Sequence, residues 1–173
     1  MAQSCRGTLF TERLHLRCPV ETDAVAISAI AGDWQVARNL GRMPHPYTPD
    51  DFRLFMECIV PNEPTWAIVS RQNAELVGVI GLAPHSDRRS AELGYYVGRS
   101  HWGQGLASEA ALAVVREALA GIGYARLTSG YFADNPASGR VLAKAGFMPV
   151  GRSLRHCLAE RRDRPSIEVE RLA

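Results

Sequence analysis

A glycine-rich segment, Trp102-Gly103-Gln104-Gly105-Leu106-Ala107, stands directly before a run of residues with helical periodicity. Gly103 and Gly105 remove side chains where another molecule must approach the backbone closely. The free N–H groups of a helix's first turn, together with the positive end of the helix dipole, attract phosphate groups. The segment therefore predicts a phosphate-binding turn, although glycines that only permit a sharp turn would give the same pattern.

Two other phosphate-binding motifs do not match this segment. A P-loop requires GxxxxGK followed by Ser or Thr, and no such lysine is present. A dinucleotide fingerprint requires a third small residue and an acidic residue about 20 positions later. Ser108 supplies the small residue, but the later region Gly121–Gly130 contains no Asp or Glu. Both motifs are therefore excluded.

The phosphate-binding turn needs a strand before it and a helix after it. Apolar residues at helical spacing predict a helix over Gly105–Leu119, and Ala91–Val97 has the composition of a strand. Open sheets in mixed proteins tend to hold ligands at the carboxyl ends of their strands. The turn after Val97 lies at such an end.

The remaining elements indicate a mixed protein in which an antiparallel meander precedes a strand–helix–strand passage. Further strands are predicted at Leu14–Arg17, Thr65–Ser70, Leu76–Leu82, Arg126–Phe132, Met148–Arg155 and Pro165–Leu172. Further helices are predicted at Thr22–Ile30, from Thr48-Pro49 onward, and from Asn135-Pro136 to Gly146. Thr22, Thr48 and Asn135 are the expected N-caps, and a proline follows two of them at the first helical position.

Length and composition describe one ordinary globular domain over residues 1–173. A net charge of +2, with Lys and Arg scattered along the chain, argues against a dedicated nucleic-acid binder. None of the four cysteines has metal-ligand spacing, so we expect reduced thiols and no metal site. No apolar run reaches the roughly 20 residues of a membrane span, and the N-terminus lacks a signal-peptide layout. We therefore expect a cytoplasmic protein with no membrane partner.

Two motifs, taken in order, resemble those of the GNAT superfamily of N-acetyltransferases, most closely its RimJ/RimL-type branch. The first runs from Ala91-Glu92-Leu93-Gly94-Tyr95-Tyr96-Val97 into the glycine-rich turn and Ser108-Glu109-Ala110. The second is Asn135-Pro136-Ala137-Ser138, followed by Val141, Leu142, Lys144, Ala145, Gly146 and Phe147. The resemblance is strong over residues 91–147 and rests elsewhere on the order of elements. It implies an α+β fold with a central, twisted, mostly antiparallel sheet of about 6–7 strands flanked by about four helices.

The resemblance also implies acetyl-CoA as the co-substrate and no metal. Backbone groups of Tyr95, Tyr96 and Val97 would bind the pantetheine arm, and Asn135 would cap its helix, bind the arm, or do both. The pyrophosphate would lie on Trp102, Gly103, Gln104, Gly105, Leu106 and Ala107. The family's turn usually begins with Gln or Arg, and Trp102 departs from that pattern. The departure matters little because this turn binds mainly through backbone N–H groups.

Glu92 and Ser138 are the candidate catalytic residues. Acetyl transfer to an amine requires a base for the incoming ammonium and an acid for the departing thiolate. Glu92, at the start of the pantetheine-binding strand, is the candidate base, and the alternative is a plain surface charge. In RimJ/RimL-type relatives a serine at the place of Ser138 is implicated in protonating the thiolate, and the alternative is a small polar residue in a helix's first turn. His156 is a second candidate base, whereas Cys157 is disfavoured as a nucleophile because direct transfer in a ternary complex is expected.

The acceptor is expected to bind between the early helices and the loop Met43–Tyr47. Candidate contacts are Trp34, His45, Tyr47 and Glu92, although Trp34 fits core packing as well. The acceptor itself is a primary amine, either a protein N-terminus or a small molecule. A non-catalytic acyl-CoA sensor and a nucleotide-binding protein are the competing function classes. Relatives occur as monomers and dimers, so a homodimer is left open.

Two further charged groups are given structural roles. Glu109 lies in the first turns of its helix, where a carboxylate stabilises the helix dipole. The run Arg161-Arg162-Asp163-Arg164 is expected to be a solvated loop between the last two strands.

Overall fold

Eight strands form one open sheet in the computed structural model, which describes residues 7–173. The strands are β1 (Leu9–Phe10), β2 (Leu14–Arg17), β3 (Thr65–Ser70), β4 (Leu76–Pro84), β5 (Ser90–Val97), β6 (Arg126–Phe132), β7 (Met148–Cys157) and β8 (Arg162–Leu172). Each predicted strand is present, and the two-residue β1 is additional because it is too short to show a periodic pattern.

The sheet has the order β1-β2-β3-β4-β5-β6-β8-β7. Every neighbouring pair is antiparallel except β5 and β6, which are parallel. This topology confirms the mixed α+β fold with a mostly antiparallel sheet. The one parallel pair follows from the connection through a helix, since parallel strands need a crossover.

Five α-helices accompany the sheet within residues 7–173. They are α1 (Ala24–Gly32), α2 (Trp34–Ala37), α3 (Pro49–Leu54), α4 (Leu106–Arg116) and α5 (Pro136–Lys144). The predicted caps of α3 and α5 are confirmed: Thr48 Oγ1 accepts from the Asp51 N–H and Asn135 Oδ1 from the Ser138 N–H, each at 3.3 Å. The single-turn α2 was not predicted, because four residues carry too little periodicity.

The start of α1 differs from the prediction that Thr22 caps it. Glu21–Asp23 form a 3₁₀ turn, and α1 begins at Ala24. The Asp23 carboxylate is held by the Arg17 guanidinium through two hydrogen bonds of 2.7 Å and by the Val20 N–H at 2.9 Å. The helix is thus placed by an ion pair to β2 and not by a threonine cap.

The two faces of the sheet are covered by different helices. The larger apolar cluster joins Leu93 and Val97 of β5 to residues of α4 and α5, such as Val114 and Leu142. The smaller cluster lies on the other face, where Tyr96 packs with residues of α1 and α3. Because side chains alternate along a strand, consecutive residues of β5 face different sets of helices. We call these the donor face (α4 and α5) and the acceptor face (α1 and α3), after the roles expected from the sequence.

The parallel strands β5 and β6 pair at three positions only, ending at Glu92 and Thr128. Beyond these residues β5 continues to Val97 and β6 to Phe132, with no further pairing between them among residues 7–173. The strands therefore leave an opening in the sheet at their carboxyl ends. The glycine-rich turn directly follows the β5 side of this opening.

The cysteines differ in part from the prediction of reduced thiols. Cys58 and Cys157 are free, whereas Cys18 is disulfide-bonded. No helix in the described part of the chain is both long enough and apolar enough to cross a membrane.

Candidate active site

The glycine-rich turn leaves the N-terminus of α4 open. Gly103 and Gly105 have φ values of 75° and 78°, in the left-handed region where other residues are strained. Gly105 occupies the N-cap position and provides no side-chain cap, so the first N–H groups of α4 have no side-chain acceptor there. A Cβ built on Gly103 would meet no other atom within 4 Å. The turn therefore presents backbone donors towards open space, which is the geometry an anion requires.

Trp102 ties this turn back to β5. Its indole N–H donates to the Val97 carbonyl at 2.7 Å, although 47% of the residue's surface stays exposed. Gln104 also ties the turn to the preceding segment, since its Nε2 donates to the Ser100 carbonyl at 3.1 Å. Leu106 is buried at the start of α4 and Ala107 packs against the same core. The six residues predicted for the turn thus lie together.

A second chain segment holds the turn, and it was not predicted. The Thr11 hydroxyl and the Arg13 backbone N–H donate to Glu109 Oε1 at 2.6 and 2.8 Å, and Arg13 Nε donates to Glu109 Oε2 at 2.7 Å. Arg13 Nη1 also donates to the Gln104 carbonyl at 2.9 Å. No local signal reveals these contacts, because the partners lie more than 90 positions apart.

The opening between β5 and β6 is lined by backbone groups of alternate residues. The Leu93 carbonyl accepts from the Ser129 hydroxyl of β6 at 2.8 Å, whereas the Gly98 N–H turns towards β4 and donates to the Val77 carbonyl. Odd-numbered residues of β5 therefore direct their backbone groups into the opening. Tyr95 and Val97 belong to this set, and Tyr96 directs its backbone groups towards β4.

Ser138 lies against Tyr95 on the donor face. The two hydroxyl oxygens are 2.7 Å apart, and the Tyr95 hydroxyl also donates to the Ser138 carbonyl at 3.2 Å. Burial raises the pKa of Tyr95 to about 12, while the Ser138 hydrogen bond acts in the opposite direction. The phenol is therefore neutral at physiological pH, and either hydroxyl is able to donate along the 2.7 Å contact.

The start of α5 also packs against β6, on the far side of the opening. A Cβ built on Gly139 would lie 2.6–2.8 Å from ring atoms of Tyr131, so only glycine allows this approach. The N-terminal turn of α5, with Asn135 and Ser138, is thus placed next to both strands of the opening.

Glu92 is paired with a residue of the outermost strand. Arg155 of β7 donates to Glu92 through Nη1 and to Glu168 of β8 through Nε and Nη2. A Cβ on Gly130 of β6 would lie 2.6–2.7 Å from the guanidinium, so this glycine provides the path across the sheet. The hydrogen bonds to Glu168 and Glu92 raise the pKa of Arg155 above its usual range, and the same guanidinium lowers the pKa of Glu168. Glu92 is therefore held by a fixed positive charge.

Glu92, Gly94 and Tyr96 share the acceptor face of β5. A Cβ built on Gly94 would meet nothing within 4 Å, so space is open between the carboxylate and the tyrosine. Tyr47 packs in the same apolar cluster as Tyr96. Burial, followed by the charge of Asp51, raises the pKa of Tyr47 to about 12. Both phenols are therefore neutral at the edge of this space, since burial also raises the pKa of Tyr96.

Trp34 and His45, both predicted to contact the acceptor, contact each other. Their rings are in edge-on contact with a centroid separation of 5.1 Å. His45 Nδ1 is buried and has no hydrogen-bond partner within the described residues. The α1–α2 junction that carries Trp34 is also attached to the 3₁₀ turn before the glycine-rich segment, because Asp33 pairs with Arg99 at 3.1 Å.

Comparison with known proteins identifies the family of this chain. The acetyltransferase (GNAT) domain family matches residues 13–148. The chain belongs to this family. It is 33% identical over 148 residues to YoaA, an uncharacterized N-acetyltransferase of Bacillus subtilis, with 83% of this chain and 84% of the relative covered. The protein is an acetyl-CoA-dependent acetyltransferase.

Solved acetyltransferases share the fold. Ribosomal-protein-S5-alanine acetyltransferase from Vibrio fischeri superposes with a TM-score of 0.80 at 17% identity, covering 96% of this chain and 97% of that one. Spermidine N-acetyltransferase from Vibrio cholerae, in complex with CoA and spermine, superposes with a TM-score of 0.81 at 18% identity, covering 94% and 96%. At these identities the likeness concerns the fold alone.

The residues of this acetyltransferase fit acetyl-CoA. The open α4 N-terminus suits a diphosphate, and a sheet opening lined by backbone N–H and C=O groups suits an arm that contains amides. The co-substrate supplies an activated acetyl thioester. Among residues 7–173, no cluster of His, Cys, Asp and Glu side chains is arranged to hold a metal ion.

The second candidate base, His156, does not lie with Glu92 in this acetyltransferase. Its Nδ1 is 2.9 Å from Asp163 Oδ1 in an exposed pair, and strand alternation turns it away from the face to which Arg155 points. Cys157 is buried, and its thiol lies 3.5 Å from the Arg38 carbonyl. Its contacts are those of a packed structural residue.

The predicted loop Arg161–Arg164 is wrong for Arg162–Arg164, which belong to β8, and Arg164 is also not solvated because it is 2% exposed. Its Nη2 binds both oxygens of Asp134 at 2.6 and 2.7 Å, and its guanidinium stacks on Phe132. Arg164 also donates to the Arg38 carbonyl and pairs with Glu160. This network joins the end of α2, the β7–β8 hairpin and the turn before Asn135.

Proposed function

We propose that this acetyltransferase transfers the acetyl group of acetyl-CoA to a primary amine by direct transfer within a ternary complex. One observation carries the proposal. The Glu92 carboxylate and the Tyr95–Ser138 hydroxyl pair lie on opposite faces of the same short strand, beside the opening where β5 and β6 separate. This arrangement supports a base for the acceptor on one face of β5 and an acid for the donor on the other.

Glu92 is the proposed base. The amine arrives mainly as an ammonium ion at neutral pH and must lose a proton before it can attack the thioester. The Arg155 guanidinium keeps Glu92 oriented on the acceptor face. The proton passes to the Glu92 carboxylate, directly or through a water molecule in the open space beside Gly94.

Ser138 is the proposed acid. Its Oγ provides a proton for the departing sulfur and takes a proton back from solvent water, so the serine ends the step neutral. The Tyr95 hydroxyl, 2.7 Å away and neutral, orients the Ser138 hydroxyl. Asn135 holds the turn that carries Ser138 by accepting from the Ser138 N–H.

The donor is proposed to bind along the opening and the turn. Backbone groups of Tyr95 and Val97 would hold the pantetheine arm, with Tyr96 as their neighbour on β5 and Asn135 at the start of α5. The diphosphate would lie on the turn formed by Trp102, Gly103, Gln104, Gly105, Leu106 and Ala107. The open backbone donors of this turn support the assignment.

The acceptor is proposed to be the primary amine of a protein N-terminus or of a small molecule. It would contact Trp34, His45, Tyr47 and Glu92 on the acceptor face. The two solved neighbours act on a ribosomal protein and on spermidine, respectively. The likeness to the ribosomal-protein acetyltransferase also supports a place for this chain in the RimJ/RimL-type branch.

A thiol-release assay tests the proposal. Acetyl-CoA is incubated with a panel of primary amines, including peptides with free N-termini, polyamines and amino acids. Glu92→Gln should lower kcat for any accepted amine by about 100-fold, while Glu57→Gln, at an exposed position on another element, should leave it unchanged. Equal rates for the wild type and Glu92→Gln would remove Glu92 from the mechanism. Acetyl-CoA binding without turnover on the whole panel would instead support a sensor.

A further inference from the structure

The turn between β1 and β2 occupies both oxygens of a carboxylate in the first turns of α4. Glu109 Oε1 accepts from the Thr11 hydroxyl and the Arg13 N–H, and Oε2 accepts from Arg13 Nε at 2.7 Å. Burial acts to raise the pKa of Glu109, but the hydrogen bonds from Thr11 and Arg13 outweigh it and lower the pKa. Glu109 is therefore an anion at neutral pH.

An anion at this position is favourable for the helix and unfavourable for the ligand. The N-terminal end of a helix dipole stabilises a carboxylate. The same carboxylate repels a diphosphate bound at that helix end, since like charges oppose each other across a few ångströms. The Arg13 guanidinium cancels this repulsion because it lies in direct contact with the carboxylate.

Arg13 also contacts the turn itself. Its Nη1 donates to the Gln104 carbonyl at 2.9 Å. Its Nη2 lies 3.5 Å from the position that a Cβ would take on Gly105. One guanidinium thus holds the peptide between the two positive-φ glycines and remains beside the open end of α4.

We propose that Arg13 is a positioning residue of the diphosphate site, which holds the turn in its binding conformation and neutralises Glu109. The proposal rests on the proposed placement of the diphosphate at this turn. It is independent of the acceptor and of the roles of Glu92 and Ser138. It predicts that Arg13 affects CoA affinity through charge as well as through geometry.

Calorimetric titration with CoA tests this in the wild type, Arg13→Met, Glu109→Gln and the double variant. Arg13→Met should weaken CoA binding about tenfold, and the loss should shrink at high salt because screening reduces the repulsion. Glu109→Gln should leave the affinity unchanged or increase it. The double variant should bind CoA at least about threefold more tightly than Arg13→Met alone, because the uncompensated carboxylate has been removed.

Arg116→Met is the matched control, since it changes the net charge equally at the other end of α4. Its CoA affinity should stay within about twofold of the wild type, because a charge one helix length away is screened. An Arg13→Met affinity within the same limit would overturn the proposal. A loss that Glu109→Gln does not reduce would also overturn it, because a purely structural role predicts no charge rescue.

Thermal unfolding shows whether Arg13→Met is folded. Should it not be, Arg13→Lys and Thr11→Val test the geometric part of the proposal, because each removes contacts to Glu109 while keeping the net charge. Arg13→Lys also loses the contact to the Gln104 carbonyl, so it should weaken CoA binding more than Thr11→Val does. Equal affinities would contradict the proposal. Absence of CoA binding in the wild type would instead refute the donor-site assignment, which keeps the two failures distinct.

Discussion

The guanidinium of Arg155 on β7 contacts the carboxylate of Glu92 on β5, although β6 and β8 lie between these strands in the sheet. The contact is possible because Gly130 of β6 has no side chain in its path. Glu168 holds the other edge of the guanidinium through two hydrogen bonds. The candidate base, Glu92, is thus oriented by an arginine on β7, the strand at the edge of the sheet.

Gly130→Ala should displace Arg155 and leave the strand intact. The new methyl group would enter the space of a flexible side chain and not of backbone, so the guanidinium must move away from Glu92. We expect kcat/KM to fall about tenfold or more, because a small misplacement of a catalytic group is costly. The CoA affinity should not change. Gly151→Ala is the control, since its Cβ would meet nothing within 4 Å, and equal kcat/KM for the two variants would contradict this role.

Ser138→Ala should lower kcat by about 100-fold with little change in CoA affinity, because the acid acts only on the leaving thiolate. Tyr95→Phe should have a smaller effect, about tenfold, since it removes a supporting hydroxyl and leaves Ser138 in place. Steady-state kinetics and calorimetry on both variants check this order. A larger loss in Tyr95→Phe than in Ser138→Ala would indicate that the tyrosine is the acid.

Gly103→Ala should strain the turn without any steric clash, because the added Cβ would lie in open space while φ stays at 75°. We expect the free energy of unfolding to decrease by about 1–2 kcal/mol and CoA binding to weaken. Gly32→Ala, which has ordinary φ and equally open surroundings, is the control and should not reduce stability. Urea denaturation and CoA titration measure both effects, and equal results for the two variants would refute a conformational requirement at Gly103.

Asp134→Asn should reduce stability at pH 7 by about 1–2 kcal/mol, a value discounted for the exposure of the Asp134 side chain. The hydrogen bonds from Arg164 lower the pKa of Asp134 in the folded protein. A lowered carboxyl pKa stabilises the fold above the unfolded pKa of about 3.9, and this stabilisation is lost as the pH falls through the folded value. The difference between the wild type and Asp134→Asn should therefore vanish towards pH 2.

Urea denaturation between pH 7 and pH 2 measures this dependence. Asp50→Asn is the control, because Asp50 forms an exposed pair with Arg53 within one helix turn. Such pairs contribute about 0.5 kcal/mol or less. A pH-independent deficit in Asp134→Asn would show that the Arg164 ion pair is not its cause.

Local signals were sufficient for the elements that carry the proposed donor site. The pairs Thr48-Pro49 and Asn135-Pro136 each predicted a helix start that the structure confirms. The glycine-rich turn could likewise be placed after β5 and before α4, because glycine at positive φ and an uncapped helix start are properties of adjacent residues. Thr22 failed as a cap because a neighbouring carboxylate binds an arginine of β2.

The ion pairs of the site could not be predicted from local patterns, because their partners are far apart in the chain. Alternation along β5 predicts that Tyr95 and Tyr96 face opposite sides, but only the packing of α5 and α3 decides which tyrosine meets Ser138. The pair Arg13–Glu109 joins the β1–β2 turn to α4, and the pair Arg155–Glu92 joins β7 to β5, so both depend on the tertiary arrangement. Short-range patterns therefore determined the turn proposed to bind the donor. The charges that hold this turn and the proposed base were decided by the tertiary structure, since ion pairing depends on distance in space and not on separation in sequence.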